Sequence, residues 1–281
     1  MGDYCLPQSL TELRAALSDG KAHILAGGTD FYPQRVGQPL PKNIVDITNM
    51  SDLKGIRETD DFWHFGAITT WRDILDANLP LLFDGLKTAA REVGGQQVQN
   101  AGTIGGNLCN ASPAADGVPV FLSLGASVEL STGERTRTIN LADFITGNRK
   151  TVLRSGEILT AVLVPKTGSP QVKSLFLKLG ARKYLVISMV MVAIVVEMDE
   201  AGIITTCRIA IGACSEVAMR LDGLEQVITG REKNKDLAAL VTADHLAALA
   251  PVTDVRASRE YRLDAALTLV RRALDTLGRG A

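Results

Sequence analysis

The stretch Ala101-Gly102-Thr103-Ile104-Gly105-Gly106-Asn107-Leu108-Cys109-Asn110-Ala111-Ser112-Pro113-Ala114-Ala115-Asp116 constrains this chain more than any other. Its glycines strip side chains from a short run of backbone, and small polar residues flank them. That pattern predicts a loop whose main-chain N–H groups a bulky anion can approach closely. A second glycine-rich turn, Leu25-Ala26-Gly27-Gly28-Thr29-Asp30, lies near the N-terminus. Together the two predict one elongated, phosphate-bearing ligand gripped from two places in the chain, and a dinucleotide fits that description.

At 281 residues the chain exceeds what one ordinary core organises, so two or more subdomains around a shared cleft are expected. Its 30 basic and 31 acidic residues leave a net charge of −1, which gives no electrostatic reason to invoke nucleic acid or an anionic membrane surface. Cys5, Cys109, Cys207 and Cys214 are far apart and form no metal-ligand spacing, which predicts free thiols in a reducing compartment. The N-terminus has no basic region followed by an apolar run, so no secretory signal is expected. The longest apolar run, residues 184–196, falls short of the roughly 20 residues a membrane-spanning helix needs. These readings place the chain in the cytoplasm with no membrane span.

Taken in order, Ser9-Leu10-Thr11-Glu12 has the spacing of a capping box and predicts a short helix. Strands are expected over residues 23–26 and 43–47, with the first glycine turn at a strand end, where open sheets often bind ligands. Short strands over 54–58 and 62–68 follow, then helices over 71–77, capped by Thr70, and 81–93. The glycine-rich stretch comes next, then a short helical piece and a buried strand within 118–130, a turn at 140–144, and a strand over 156–165 closed by a proline. Lys166-Thr167-Gly168-Ser169-Pro170 reads as a linker. Beyond it, two long β-branched strands over 184–198 and 203–213 form a hairpin, and 218–228, 237–249 and 258–277 are helical in pattern.

Neither glycine segment is the GxGxxG fingerprint, and no GxxxxGKS is present. Alone, Ala26-Gly27-Gly28-Thr29-Asp30 reads equally well as a tight strand exit. The second segment is more distinctive, with Thr103, Asn107, Ser112 and Asp116 spaced to offer hydrogen-bonding groups around bare backbone. Asp116 can accept from ribose or ribityl hydroxyls or cap the turn after Pro113. Lys178, between Leu177 and Leu179, is either a strand's solvent-facing cation or a charge aimed at an electron-rich ring. His23, His64 and His245 share no metal-ligand spacing, and Cys109 has no adjacent His, Lys or Arg to activate it. No GxSxG elbow or HExxH is present. A cofactor cradle without acid–base machinery points to redox work, in which the cofactor carries the chemistry.

Ala26-Gly27-Gly28-Thr29-Asp30, Thr103-Ile104-Gly105-Gly106-Asn107 with Ala111-Ser112-Pro113-Ala114-Ala115-Asp116, Gly156-Glu157-Ile158-Leu159 and Arg256-Ala257-Ser258-Arg259-Glu260-Tyr261-Arg262 together resemble the FAD-binding medium subunit of the molybdenum hydroxylases. That family includes the flavin subunits of bacterial xanthine dehydrogenase and of aerobic carbon monoxide dehydrogenase. The resemblance spans nearly the whole chain, with four motifs in the right order.

It implies an α+β architecture: a two-subdomain FAD-binding fold of the vanillyl-alcohol-oxidase type over residues 1–168, divided near 52, and a C-terminal domain over 169–281 with a three-stranded antiparallel sheet and helices. The site it implies comprises Leu25, Ala26, Gly27, Gly28, Thr29, Asp30, Thr103, Ile104, Gly105, Gly106, Asn107, Asp116, Leu159 and Lys178. Main-chain N–H groups of Gly27, Gly28, Thr29, Gly105, Gly106 and Asn107 would cradle the pyrophosphate. Asp116 would meet ribityl or ribose hydroxyls, Leu159 would lie near the flavin or adenine, and Lys178 would approach the isoalloxazine edge. Val93 stands where relatives can have an aromatic. No histidine occupies the first glycine turn, so FAD is expected to be non-covalent, and no cysteine-rich insertion marks the benzoyl-CoA reductase branch. The implied partners are an iron–sulfur small subunit carrying [2Fe-2S] clusters and a molybdopterin large subunit holding the molybdenum cofactor, arranged as a dimer of heterotrimers. NAD or another acceptor would take the electrons. The form of the C-terminal motif leans toward xanthine dehydrogenase. The alternatives are a stand-alone FAD-dependent oxidoreductase and a non-catalytic protein retaining the fold.

Overall fold

The computed structural model describes residues 3–18, 20–169 and 171–279. Pro170, at the end of the expected linker, lies outside them, as do the first two residues of the N-terminal stretch. The chain opens with β1 (Asp3–Cys5), α1 (Leu10–Leu17), β2 (His23–Leu25) and β3 (Asn43–Asp46). Ser9 Oγ accepts the Glu12 N–H at 3.2 Å, while the Glu12 carboxylate reaches the N–H of Gln8 rather than that of Ser9. The strands form a parallel sheet in the order β1-β3-β2. Leu13 and Leu17 of α1 pack with Val45, Ile47, Met50 and Leu53 into a small core.

The next part contains β4 (Ile56–Glu58), β5 (Phe62–Gly66), α2 (Trp71–Asp76), α3 (Asp84–Glu92), α4 (Gln96–Ala101), α5 (Ile104–Asn110) and α6 (Gly117–Ser123). It continues through β6 (Ser127–Ser131), β7 (Thr136–Asn140), α7 (Leu141–Phe144), β8 (Ile145–Gly147), β9 (Lys150–Thr151) and β10 (Ile158–Pro165). An antiparallel sheet runs β4-β5-β10-β6-β7, with Phe65, Phe83 and Phe121 meeting edge to face beside it. The capping box at Thr70 is complete, the hydroxyl accepting from Asp73 N–H and the Asp73 carboxylate from Thr70 N–H.

The expectation of a loop over the central glycine stretch is corrected here. Residues 104–110 are helical and follow α4 with only two residues between. Glycine's poor helix propensity is overridden because Ile104 and Leu108 are fully buried on one face of α5 and Gly105 seats its backbone against Ala67. Thr103 Oγ1 then caps the helix by accepting the Gly106 N–H.

The last part has β11 (Gln171–Leu179), β12 (Val190–Met198), β13 (Ile204–Gly212), β14 (Met219–Arg220), α8 (Asp222–Ile228) and α9 (Arg259–Arg279). Three long antiparallel strands carry a two-residue fourth, in the order β11-β12-β13-β14. β12 explains the long apolar run. Met191, Ala193 and Val195 face the core of the preceding part, whereas Val190, Val192, Ile194 and Val196 face the core beneath α8 and α9. A strand covered on both faces reads as a continuous apolar stretch, and each buried Val or Ile contributes about 1.5–3 kcal/mol.

Three other expectations change. The strand expected from residue 184 begins at Val190, because Leu185 adopts φ +53° and Arg182 Nε donates to the Leu185 carbonyl at 3.1 Å, folding residues 180–188 into a turn. β11 escaped the sequence reading because Lys173, Ser174 and Lys178 interrupt it and most of its side chains are only half-buried. The helix expected over 237–249 is two short 3-10 turns, Lys235–Leu240 and Ala243–Leu246, the second restarted by a cap at Thr242.

Arg262 of α9 is 1% exposed and ties the last part together. It donates to the carbonyls of Met189 (2.7 Å) and Ala213 (3.2 Å) and to Asp254 Oδ1 (2.8 Å). The Arg256 guanidinium, the Arg256 N–H and Arg262 hold the Asp254 carboxyl well below the usual carboxylate range. A carboxyl lowered in this way stabilises the fold above its unfolded pKa of about 3.9, and the contribution is lost as pH falls further. Asp254→Asn is therefore expected to lower the melting temperature at pH 6 more than at pH 3. A gap between variant and wild type that stays constant with pH would contradict this.

Candidate functional site

A cleft of about 510 Å³ lies between the two N-terminal parts and gathers both glycine segments. The first forms the turn at the end of β2. Gly28 adopts φ +70°, a conformation in which an L side chain is strained. At Gly27 an added Cβ would lie 1.7 Å from the Ala101 carbonyl oxygen, so this backbone is in direct contact with the C-terminus of α4. Gly28 and Asp30 use their carbonyls to accept from Tyr32 and Gln34 N–H. Among the described residues, the N–H groups of Gly27, Gly28, Thr29 and Asp30 have no acceptor, and all four residues line the cleft. A run of unpaired amides in a turn containing a left-handed residue is a concave anion site.

The second segment contributes differently from the expectation. Gly105 N–H donates to the Ala67 carbonyl (2.8 Å), Gly106 N–H to Thr103 Oγ1 (3.1 Å) and Asn107 N–H to the Thr103 carbonyl (3.0 Å). All three amides expected to cradle the pyrophosphate are thus committed within the protein, because the segment is the first turn of a capped helix. What it offers the cleft is bare surface at exposed Gly106, together with the side chains of Thr103 and Asn107. Asn110, at the end of α5, links the two segments. Its amide donates to Asp30 Oδ2 (2.5 Å), and its carbonyl oxygen accepts from Gln34 Nε2 (3.0 Å) and from Arg149.

Of the other expected residues, Ala26 and Leu159 line the cleft. Leu25 (3% exposed) and Ile104 (0%) are buried and absent from its lining. Asp116 and Lys178 do not line it either. Lys178 Nζ meets Asp116 Oδ2 at 2.9 Å and the Glu92 carbonyl at 3.0 Å, and Ser188 Oγ donates to Asp116 Oδ1 at 2.7 Å. A buried carboxylate and a buried ammonium need partners, and each finds the other. Burial pushes the Asp116 carboxyl up, against the opposing pull of Lys178 and Ser188. This cluster joins β11 to the start of α6.

Sequence reasoning missed Trp71, Phe31, Gln34, Arg35, Cys109, Asn110 and Glu157 as cleft residues and noted Val93 only as the place where relatives can have an aromatic; the structure puts all of them in the lining. Glu157 is held in a two-point fork by Arg137 Nε and Nη2, each at 2.7 Å, which lowers its pKa. Burial pushes the Cys109 thiol up to about 12, so it stays protonated and is no nucleophile. Unpaired amides on one wall and an absent side chain on the other fit a diphosphate, and the apolar Val93, Val98, Ile158 and Leu159 fit the rings of a dinucleotide.

Residues 1–167 match the family described as the FAD binding domain in molybdopterin dehydrogenase, and residues 176–277 match the CO dehydrogenase flavoprotein C-terminal domain. The chain is 32% identical over 238 residues to the nicotinate dehydrogenase FAD-subunit of Eubacterium barkeri, covering 81% of this chain and 79% of that one. It is 30% identical over 284 residues to the carbon monoxide dehydrogenase medium chain of Afipia carboxidovorans, covering 97% and 95%. Among solved structures, quinoline 2-oxidoreductase from Pseudomonas putida 86 superposes with a TM-score of 0.88 at 28% identity, covering 100% of this chain and 98% of that one. With its first family match spanning more than half of its length, the chain belongs to the FAD-binding oxidoreductase flavoprotein subunits of the molybdopterin dehydrogenases.

Proposed function

We propose that this FAD-binding subunit accepts electrons from a [2Fe-2S] partner and delivers them to NAD or another acceptor. The observation carrying the reading is the run of four unpaired amides at Gly27, Gly28, Thr29 and Asp30 beside the bare surface of Gly106. Bound FAD supplies the exchange of one or two electrons. The chain's own residues position it. The Gly27–Asp30 amides bind the diphosphate, Gly106 leaves room for it, and Leu159 and Val93 shield the rings from water. The buried Asp116–Lys178 pair supports the flavin end through β11 and α6. We divide the chain functionally into an FAD-binding unit over residues 1–168, parted near 52, and a C-terminal unit over 169–281. The chain would work beside an iron–sulfur small subunit and a molybdopterin large subunit in a dimer of heterotrimers. Four unpaired cysteines suit a reducing compartment, and the cytoplasm is the setting we propose. No helix among the described residues is long and apolar enough to cross a membrane.

The purified chain is expected to be yellow, to release FAD on denaturation, and to be reduced by substrate only when both partners are present. Direct reduction by a small substrate without partners would instead establish a stand-alone oxidoreductase. Gly106→Val tests the bare surface. Its nearest protein neighbour is Thr103 Oγ1, 2.8 Å from an added Cβ, and the rest of the branched side chain would occupy the cleft. We expect FAD to bind about tenfold or more weakly, or ~1.4 kcal/mol. A folded variant with full flavin content would refute the assignment of this wall.

A further inference from the structure

We infer that Arg35 is the counter-charge for the ligand's diphosphate and makes the cleft select a dinucleotide flavin over uncharged riboflavin. This rests on the FAD reading above and extends it to a residue outside both glycine motifs. Three charged residues line the cleft among those described: Asp30, Arg35 and Glu157. Glu157 is neutralised in the Arg137 fork, and Asp30 is engaged by the Asn110 amide. Arg35 is thus the one cation facing a ligand whose diphosphate brings about two negative charges.

Its position is built rather than accidental. The turn that leaves the Gly27–Asp30 amides unpaired continues directly into a single 3-10 turn, Pro33–Arg35, held by Gln34 N–H to the Asp30 carbonyl (3.1 Å) and Arg35 N–H to the Tyr32 carbonyl (2.9 Å). The guanidinium lies 4.0 Å from the centroid of Phe31, and Nη1 donates to the Phe31 carbonyl at 2.7 Å. One face and one nitrogen are thereby fixed, so little side-chain freedom is lost on binding. Nε and Nη2 have no acceptor among the described residues. A planar group with two donors left over suits a phosphate oxygen pair better than a lysine would.

The test uses the full-length chain freed of flavin and titrated with FAD, ADP and riboflavin at low and high salt. Wild-type affinity for FAD and ADP should fall with salt, whereas riboflavin affinity should not. Arg35→Gln should weaken FAD and ADP by about ten- to a hundredfold, leave riboflavin unchanged and flatten the salt dependence. Arg35→Lys should keep the salt dependence and recover part of the affinity. Equal weakening of FAD and riboflavin in Arg35→Gln would make Arg35 a structural residue and overturn the inference, as would unchanged FAD affinity. Equal salt responses of FAD and riboflavin in the wild type overturn it without any variant. A wild-type chain that binds none of the three ligands defeats the FAD reading itself.

Discussion

Gly27→Ala is expected to cost the chain nearly all of its bound FAD. The single added carbon would lie 1.7 Å from the Ala101 carbonyl oxygen, 2.5 Å from its carbon and 3.0 Å from Gly102 Cα, where ordinary contact begins at 3.4 Å. All three obstacles are backbone, so no rotamer change relieves the clash and the two glycine segments must separate. Separation breaks the site in two ways. It moves the four free amides of the first turn away from Gly106, and it strains the Trp71 N–H bond to the Gly102 carbonyl (3.2 Å) that anchors α2 to the same backbone. Overpacking of this kind costs about 1–3 kcal/mol of stability. The loss of affinity should be larger, about a hundredfold or more (~2.7 kcal/mol), because both walls must meet one rigid diphosphate. Flavin content and FAD titration read the first effect and thermal unfolding the second. Gly168→Ala is the control, since nothing lies within 4 Å of a Cβ there. Full flavin retention in a folded Gly27→Ala variant would show that contact between the two segments is immaterial to the site.

Lys178→Met should be the most destabilising substitution in the polar interior. The Lys178 and Asp116 side chains are 6% and 11% exposed, and among the described residues Ser188 is the only other hydrogen-bond donor reaching the carboxylate. Removing one partner of a buried pair leaves an uncompensated charge and costs about 3–5 kcal/mol. The cost depends on pH. Without the ammonium, desolvation is opposed only by the weaker pull of the Ser188 hydroxyl, and the folded pKa of Asp116 rises further above the unfolded value. A carboxyl raised in the fold contributes stability below its unfolded pKa, and that contribution is lost as pH rises through the folded value. The variant should therefore be much weaker than wild type at pH 7 and closer to it near pH 4. Lys178→Met combined with Asp116→Asn should recover much of the loss, because no charge is then buried alone. Denaturant unfolding of the three variants at the two pH values measures this directly. Equal destabilisation at both pH values, or additive losses in the double variant, would mean that the pair is not the buried unit described here.

Much of the local structure was legible because it rests on neighbouring residues. Ser9 and Thr70 announced their helices through caps, and β3, β5, β10 and β13 began close to where β-branched and aromatic runs placed them. The glycine segments were likewise visible as the residues of one cleft, since tolerance of bare backbone is written into composition. The errors share a cause. Residues 104–110 look like a loop from propensity, and only the burial of Ile104 and Leu108 against partners far away in sequence makes them helical. The pairing of Lys178 with Asp116 was invisible for the same reason, since a 62-residue separation in sequence closes to 2.9 Å only in the folded chain.

The sequence by itself determined which backbone segments lack side chains, the α+β class and the family resemblance, because these depend on residue types and short-range order. Which amides are free was decided only by tertiary structure. Gly27 to Asp30 keep theirs, whereas Gly105 to Asn107 give theirs to Ala67 and Thr103. A hydrogen-bond donor is available to a ligand only when no closer acceptor in the folded chain has taken it, and that competition is settled by contacts between residues remote in sequence.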